Sequence, residues 1–140
     1  MPPRTPTLVS ASKPPDEKIT INLGYVDLGQ IDLLVQEGFY ANRTDLIRTA
    51  IRNQLTTHGE AVRQAVTRKT LVLGIQHYSV EDLLAVQAAG ETLQIRVLGL
   101  ASIAPEVTPE LALATIESLT VLGALHASSA VKSALRQRIR

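Results

Sequence analysis

From Lys18 to Leu23 the chain alternates strictly: Lys, Ile, Thr, Ile, Asn, Leu. A period of two is the pattern of a strand, here with an aliphatic face (Ile19, Ile21, Leu23) and a polar face (Lys18, Thr20, Asn22). Past Gly24 the period changes. Leu28, Ile31, Leu34 and Val35 recur at helical spacing, which predicts a helix from about Val26 to Glu37, ended by Gly38. Asn42 then offers an N-cap, and Asp45 three residues on completes a pair resembling a capping box while suiting the positive helix terminus. Leu46, Ile47, Ala50, Ile51 and Leu55 form the apolar stripe of this second helix.

A strand–helix–helix unit of this size cannot stand alone. A lone strand leaves both edges unpaired, and below about 40 residues a monomeric core is too small. Pairing with the same strand of a second chain answers both problems. The expected dimer core is Ile19, Ile21, Leu23, Leu28, Ile31, Leu34, Ile47 and Ile51, and the polar face of the two-stranded ribbon is left outward.

A two-stranded ribbon fits the major groove of B-DNA. Lys18 can donate to guanine, Asn22 can pair with adenine, and Thr20 offers a hydroxyl and a methyl. At the start of the second helix, the backbone N–H groups of Arg43 and Thr44, the Thr44 hydroxyl and the Arg43 side chain make a phosphate site, with Arg48 one turn further on. The alternating "KITINL", the "LGQIDLLVQEGFY" helix and turn, and "NRTDLIRTAI" together resemble the ribbon-helix-helix DNA-binding proteins of the CopG/Arc/MetJ type. That resemblance covers roughly a quarter of the chain. It implies an obligate homodimer, base contacts from Lys18, Thr20 and Asn22, and phosphate contacts from Asn42, Arg43 and Thr44. Lys18 departs from the Arg that many relatives carry at the first reading position, and Lys lacks the fork that grips guanine at two points.

The second half repeats. "TLVLG" at 70–74, "IRVLG" at 95–99 and "LTVLG" at 119–123 share Val-Leu-Gly at spacings of 25 and 24 residues. Each is followed by a helix-start signal: Ser79, Thr108 with Pro109 behind it, and Ser128. Three strand–helix units predict a short α/β solenoid, leucine-rich-like, with Leu71, Leu73, Ile95, Val97, Leu119 and Val121 on its parallel strands. A compact parallel β–α sheet and chance similarity of short aliphatic strands are the alternatives. His77 and His126 fall in matching positions, with Ser102 between. Two strand spacings, near 10 Å, are too far for one ion to bridge, so these read as loop-edge residues and not as metal ligands.

The expected class is therefore α/β: a flexible Pro-rich arm over 1–16, a ribbon-helix-helix domain over 17–57, a helical linker over 58–69 and a repeat domain over 70–140. The arm's Arg4 and Lys13 read as solvated, as does the basic cluster Arg63, Arg68 and Lys69, with phosphate contact as the alternative for each. Aromatic residues are only 3% of the chain, so any core is built from Leu, Ile, Val and Ala. A net charge of +1 means that DNA binding rests on where charge is placed and not on its excess. With no cysteine, disulfides and thiolate metal sites are excluded. No signal peptide, membrane span, nucleotide loop or catalytic grouping is visible, so the expectation is a cytoplasmic, nucleoid-associated protein without enzymatic activity or cofactor. The leading function is a sequence-specific transcriptional regulator bound to double-stranded DNA. The alternative is a DNA-tethered assembly protein for partition or nucleoid organisation, forming higher oligomers through its repeats. An antitoxin is a third reading, lowered because residues 70–139 look folded.

Overall fold

The computed structural model describes residues 16–140; the arm expected over 1–16, with Arg4 and Lys13, lies outside them but for Asp16. The described chain falls into two compact units, 16–65 and 66–140.

In the first unit, Asp16–Gly24 forms no regular element within the single chain. A ladder needs a second strand, and this unit contains no other. Helix α1 spans Tyr25–Gln36 and α2 spans Arg43–Thr57. Gly38 takes a left-handed φ of 88° and ends α1 as a Schellman turn. Its N–H bonds the Val35 carbonyl at 3.1 Å, and the Phe39 N–H bonds that of Leu34 at 3.0 Å. Asn42 caps α2 by accepting from the Asp45 N–H at 2.8 Å. Asp45 reaches back to the Ala41 N–H at 3.0 Å, one residue beyond the reciprocal capping box. Of the expected dimer core, Leu28, Ile31 and Ile47 are half-buried, while Ile19, Ile21, Leu23, Leu34 and Ile51 are exposed.

Helix α3 runs over Gly59–Lys69. After it come β1 (Val72–Tyr78), α4 (Val80–Ala88), β2 (Leu93–Ile103), α5 (Pro109–Thr115), β3 (Ile116–His126), α6 (Ser129–Ala134) and a 3-10 turn at Arg136–Arg138. The strands make a parallel sheet in the order β1-β2-β3. Each expected cap is in place: Ser79, Thr108 and Ser128 accept from the N–H groups of Asp82, Leu111 and Val131. At Ser79 the Asp82 carboxylate returns a bond to complete a capping box.

The sheet's register aligns the three repeats. Val72, Val97 and Val121 lie side by side, and so do Gly74, Gly99 and Gly123. Close approach explains the glycines. A Cβ on Gly99 would stand 2.1 Å from the Gly74 carbonyl oxygen, and one on Gly123 the same distance from that of Gly99. At Gly99 and Gly123 the repeated glycine is therefore a packing requirement, whereas at Gly74, on the sheet edge, a Cβ would meet nothing.

Ile95, Val97, Ala101, Ile103 and Leu119 point to the inner face of the sheet, where they bury against Leu83 of α4, Ala112 of α5 and Val131 of α6. Burying one such aliphatic side chain is worth about 1.5–3 kcal/mol. Val121 packs against this core half-buried. One of the expected strand residues differs: Leu71 precedes β1 and is buried outside it. Leu73 lies on β1 as expected and pairs with Leu98, on the opposite face from Val97. A shift of one residue flips a strand's side chains, and Val72 is the one in phase with Val97.

The chain's C-terminal residues close off part of β3. Arg138 donates to the carbonyls of Leu113 at 2.6 Å and Ile116 at 2.8 Å, meeting acceptors left open at the end of α5. Ile139 bridges to Leu119 in parallel, and the Arg140 N–H bonds the Leu119 carbonyl at 2.7 Å. The free edge of β1 has no such cover among the described residues.

Candidate nucleic-acid interface

The start of α2 presents backbone donors to solvent. An α-helix leaves its first N–H groups without intrahelical acceptors and places a partial positive charge there. In α2 these include the N–H groups of Arg43 and Thr44, since Asn42 already serves Asp45. Around them Ala41, Asn42, Thr44, Asp45, Arg48 and Arg52 line an open cleft of about 480 Å³. Thr44, Arg48 and Arg52 follow one another at four-residue intervals, so one face of α2 carries a hydroxyl and two guanidinium groups in a row. Three of the expected phosphate residues, Asn42, Thr44 and Arg48, thus share one site. Arg52 extends it, and the same helical spacing would have revealed it in the sequence.

The Arg43 side chain is engaged elsewhere. Its Nε donates to Asp32 Oδ1 at 2.7 Å and its Nη2 to Asp32 Oδ2 at 2.8 Å. This two-pronged ion pair ties α2 to α1. The hydrogen-bonded guanidinium, with its charge, holds the Asp32 carboxyl below the usual carboxylate range and raises Arg43 in return. Asp32 was not readable as a partner, because eleven residues and a tight turn separate it from Arg43.

Lys18, Thr20 and Asn22 lie along the exposed segment that precedes α1, outside the cleft. Ile19, Ile21 and Leu23, which alternate with them, are equally exposed, with Ile19 at 75%. Covering such an aliphatic row would gain about 25 cal/mol per Å² of apolar surface removed from water.

A family model described as the ribbon-helix-helix transcriptional regulator family matches residues 14–132. The chain belongs to that family. Ribbon-helix-helix proteins of this kind are DNA-binding regulators that generally act as dimers, and the match runs through the repeats as well as the first unit. The matched residues include all three strands of the sheet. No curated protein and no solved structure matches the chain. Among the described residues, no helix is long and apolar enough to cross a membrane.

Proposed function

We propose that this ribbon-helix-helix protein is a sequence-specific transcriptional regulator that reads the major groove with a ribbon formed between two copies. The observation that carries this reading is the segment 18–23, whose aliphatic and polar residues alternate and are all exposed in the single chain. Pairing two such segments antiparallel covers Ile19, Ile21 and Leu23 against the half-buried Leu28, Ile31 and Ile47 of both copies. It also presents Lys18, Thr20 and Asn22 twice over to the bases.

Phosphates on either side are held at the start of α2 by the N–H groups of Arg43 and Thr44, the Thr44 hydroxyl, and Arg48 with Arg52. Arg43 contributes chiefly through its backbone and through the pair that fixes α2 to α1. Among the residues lining the cleft, Arg48 and Arg52 bring positive charge and Asp45 a negative one, and none of the three is in an ion pair among the described residues.

The test compares operator and random DNA, the operator being found by selection from a random pool. Asn22→Ala is expected to cost about 1–3 kcal/mol on the operator and relax the preference at one position, because a base contact carries sequence information. Arg48→Ala is expected to weaken both DNAs alike and to flatten the salt dependence by about one counterion. An Asn22→Ala protein that discriminates as well as the wild type removes the ribbon as the reader.

The assembly reading is favoured by one observation, the uncovered edge of β1, which is a template for another strand. Light scattering at rising concentration separates the two: a fixed mass supports the regulator, and open-ended growth supports the assembly protein.

A further inference from the structure

The parallel sheet has two faces, and among the described residues helices cover only one of them. The core lies between the inner face and α4, α5 and α6. On the outer face the register builds two aliphatic rows: Leu73, Leu98 and Leu122, then Ile75, Leu100 and Ala124. None of the six belongs to the core or packs against it. Leu73 is 68% exposed, Ile75 64% and Leu122 50%. Parallel strands are ordinarily covered on both sides, and among the described residues this sheet has helices on one side only.

The geometry points to a second copy of this chain as the cover, with the two outer faces packed against each other around a two-fold axis. This inference rests on the dimeric reading above. Three features favour a copy of the chain over another occupant. The family generally acts as dimers, so each face has its duplicate on a tethered partner at an effective concentration on the order of mM. The face is self-complementary. Because each row takes one aliphatic residue from each of the three strands, at the leucine of Val-Leu-Gly and at the residue after its glycine, a two-fold rotation sets aliphatic rows against aliphatic rows, about 10 Å apart as in sheet-on-sheet packing.

Leu98, Leu100 and Ala124 are half-buried, and the six residues together expose on the order of 400 Å² per copy, within the ~300–600 Å² range for the largest patch on a monomer. Two such faces bury about 800 Å², short of the ~1,000 Å² of a free-standing specific contact, and the tether between copies makes up the difference. No charge is trapped in the pairing. Arg96 and Thr120 lie on one side of the rows, and His77, Ser102 and His126 on the other, with His77 Nδ1 3.2 Å from the Ser102 hydroxyl. These polar groups form a rim. A DNA backbone is a poor occupant, because the rows themselves carry no cation.

The chain has no native cysteine, which makes the pairing directly testable in the full-length protein. Leu98→Cys lies on the central strand of the outer face, and Ala85→Cys is an exposed control on α4, on the helical side. Under mild oxidation Leu98→Cys is expected to form a disulfide-linked dimer at least tenfold faster than Ala85→Cys. Equal rates overturn the pairing. Leu73→Asp with Leu122→Asp changes only exposed positions, so circular dichroism is expected to remain that of the wild type. In a Leu98→Cys background the pair is expected to abolish the cross-link.

An apolar dye gives an independent reading. Wild-type protein that binds the dye strongly, and loses that binding in the double Asp variant, has an open face, which overturns the pairing. Combining Leu98→Cys with Thr20→Pro separates this inference from the ribbon. If the ribbon reading fails, Thr20→Pro leaves the mass and DNA binding unchanged, whereas a failure of the face shows as a missing cross-link with DNA binding intact.

Discussion

All the buried side chains among the described residues lie between Leu71 and Leu135, and none lies between Asp16 and Ala65. Both regions are rich in Leu, Ile and Val, and both have well-capped helices. The difference is where the partner surface comes from. Residues 66–140 carry three strands and three helices that cover one another within a single chain. Residues 16–65 carry α1, α2 and the start of α3 beside a segment that pairs with no strand among the described residues, so their apolar residues are exposed or half-buried, and on the proposed ribbon reading a second copy covers them. On that reading an exposed apolar residue in the first region is a statement about assembly. In the second region the same exposure marks the outer sheet face, where the sheet has one layer of helices instead of two.

The sharpest way to break the comparison is to remove the ribbon. Thr20→Pro deletes a backbone donor from the ladder in each chain and is expected to abolish dimerisation and unfold residues 16–65, while the repeats keep their structure. Sedimentation with circular dichroism reads both effects. A dimeric Thr20→Pro protein with normal helix content would show that the first region does not depend on pairing between strands.

The reverse experiment strikes the second region alone. At Gly99 the φ of 141° and the carbonyl of Gly74 both exclude a side chain, so Gly99→Ala is expected to cost several kcal/mol, about 1–3 from backbone strain and a similar amount from overpacking. Gly74 has a similar φ of 131° but open space where a Cβ would go, so Gly74→Ala carries only the strain. Urea unfolding of the two variants is expected to rank them in that order.

A smaller effect is expected at the caps, which serve both regions alike. Ser79→Ala removes the bond to the Asp82 N–H and half of a capping box, for a loss of about 1 kcal/mol in the stability of the repeats. Thermal unfolding of the full-length protein checks it.

Acid gives the smallest contrast. Asp32 is held below its ordinary value of 3.8 by its hydrogen bonds and charge pairing with Arg43. Asp82 is lowered by the Ser79 N–H and hydroxyl and, less, by His77. A depressed carboxyl stabilises the folded state above its unfolded value, and that contribution disappears as pH falls through the folded one. Both regions are therefore expected to weaken slightly below about pH 4. Asp32→Asn is expected to flatten that dependence in the first region only, and Asp82→Asn in the second only, as read by chemical shifts at each pH.

Much of this organisation is local and was legible in the sequence. Asn42, Ser79, Thr108 and Ser128 cap helices because a short side-chain oxygen reaches an N–H two or three residues ahead, whatever the rest of the chain does. Gly38 ends α1 because a left-handed residue is needed there. The 25- and 24-residue spacings anticipated the alignment of Val72, Val97 and Val121, since parallel strands joined by similar crossovers repeat their register. Other properties depend on atoms brought together from a distance. Arg43 reads as a phosphate ligand in one dimension, yet the turn at Gly38 folds α1 back so that Asp32 takes its guanidinium. Leu73 and Val72 are equally aliphatic neighbours, and only the register with β2 decides which faces the helices and which faces out. Gly99 and Gly123 are simple punctuation in the sequence, whereas in the sheet each is the sole residue that a neighbouring carbonyl leaves room for. Local hydrogen bonds and periodicity depend on a few adjacent residues and so are written in the sequence, but ion pairs, face and close approach depend on the whole packed chain.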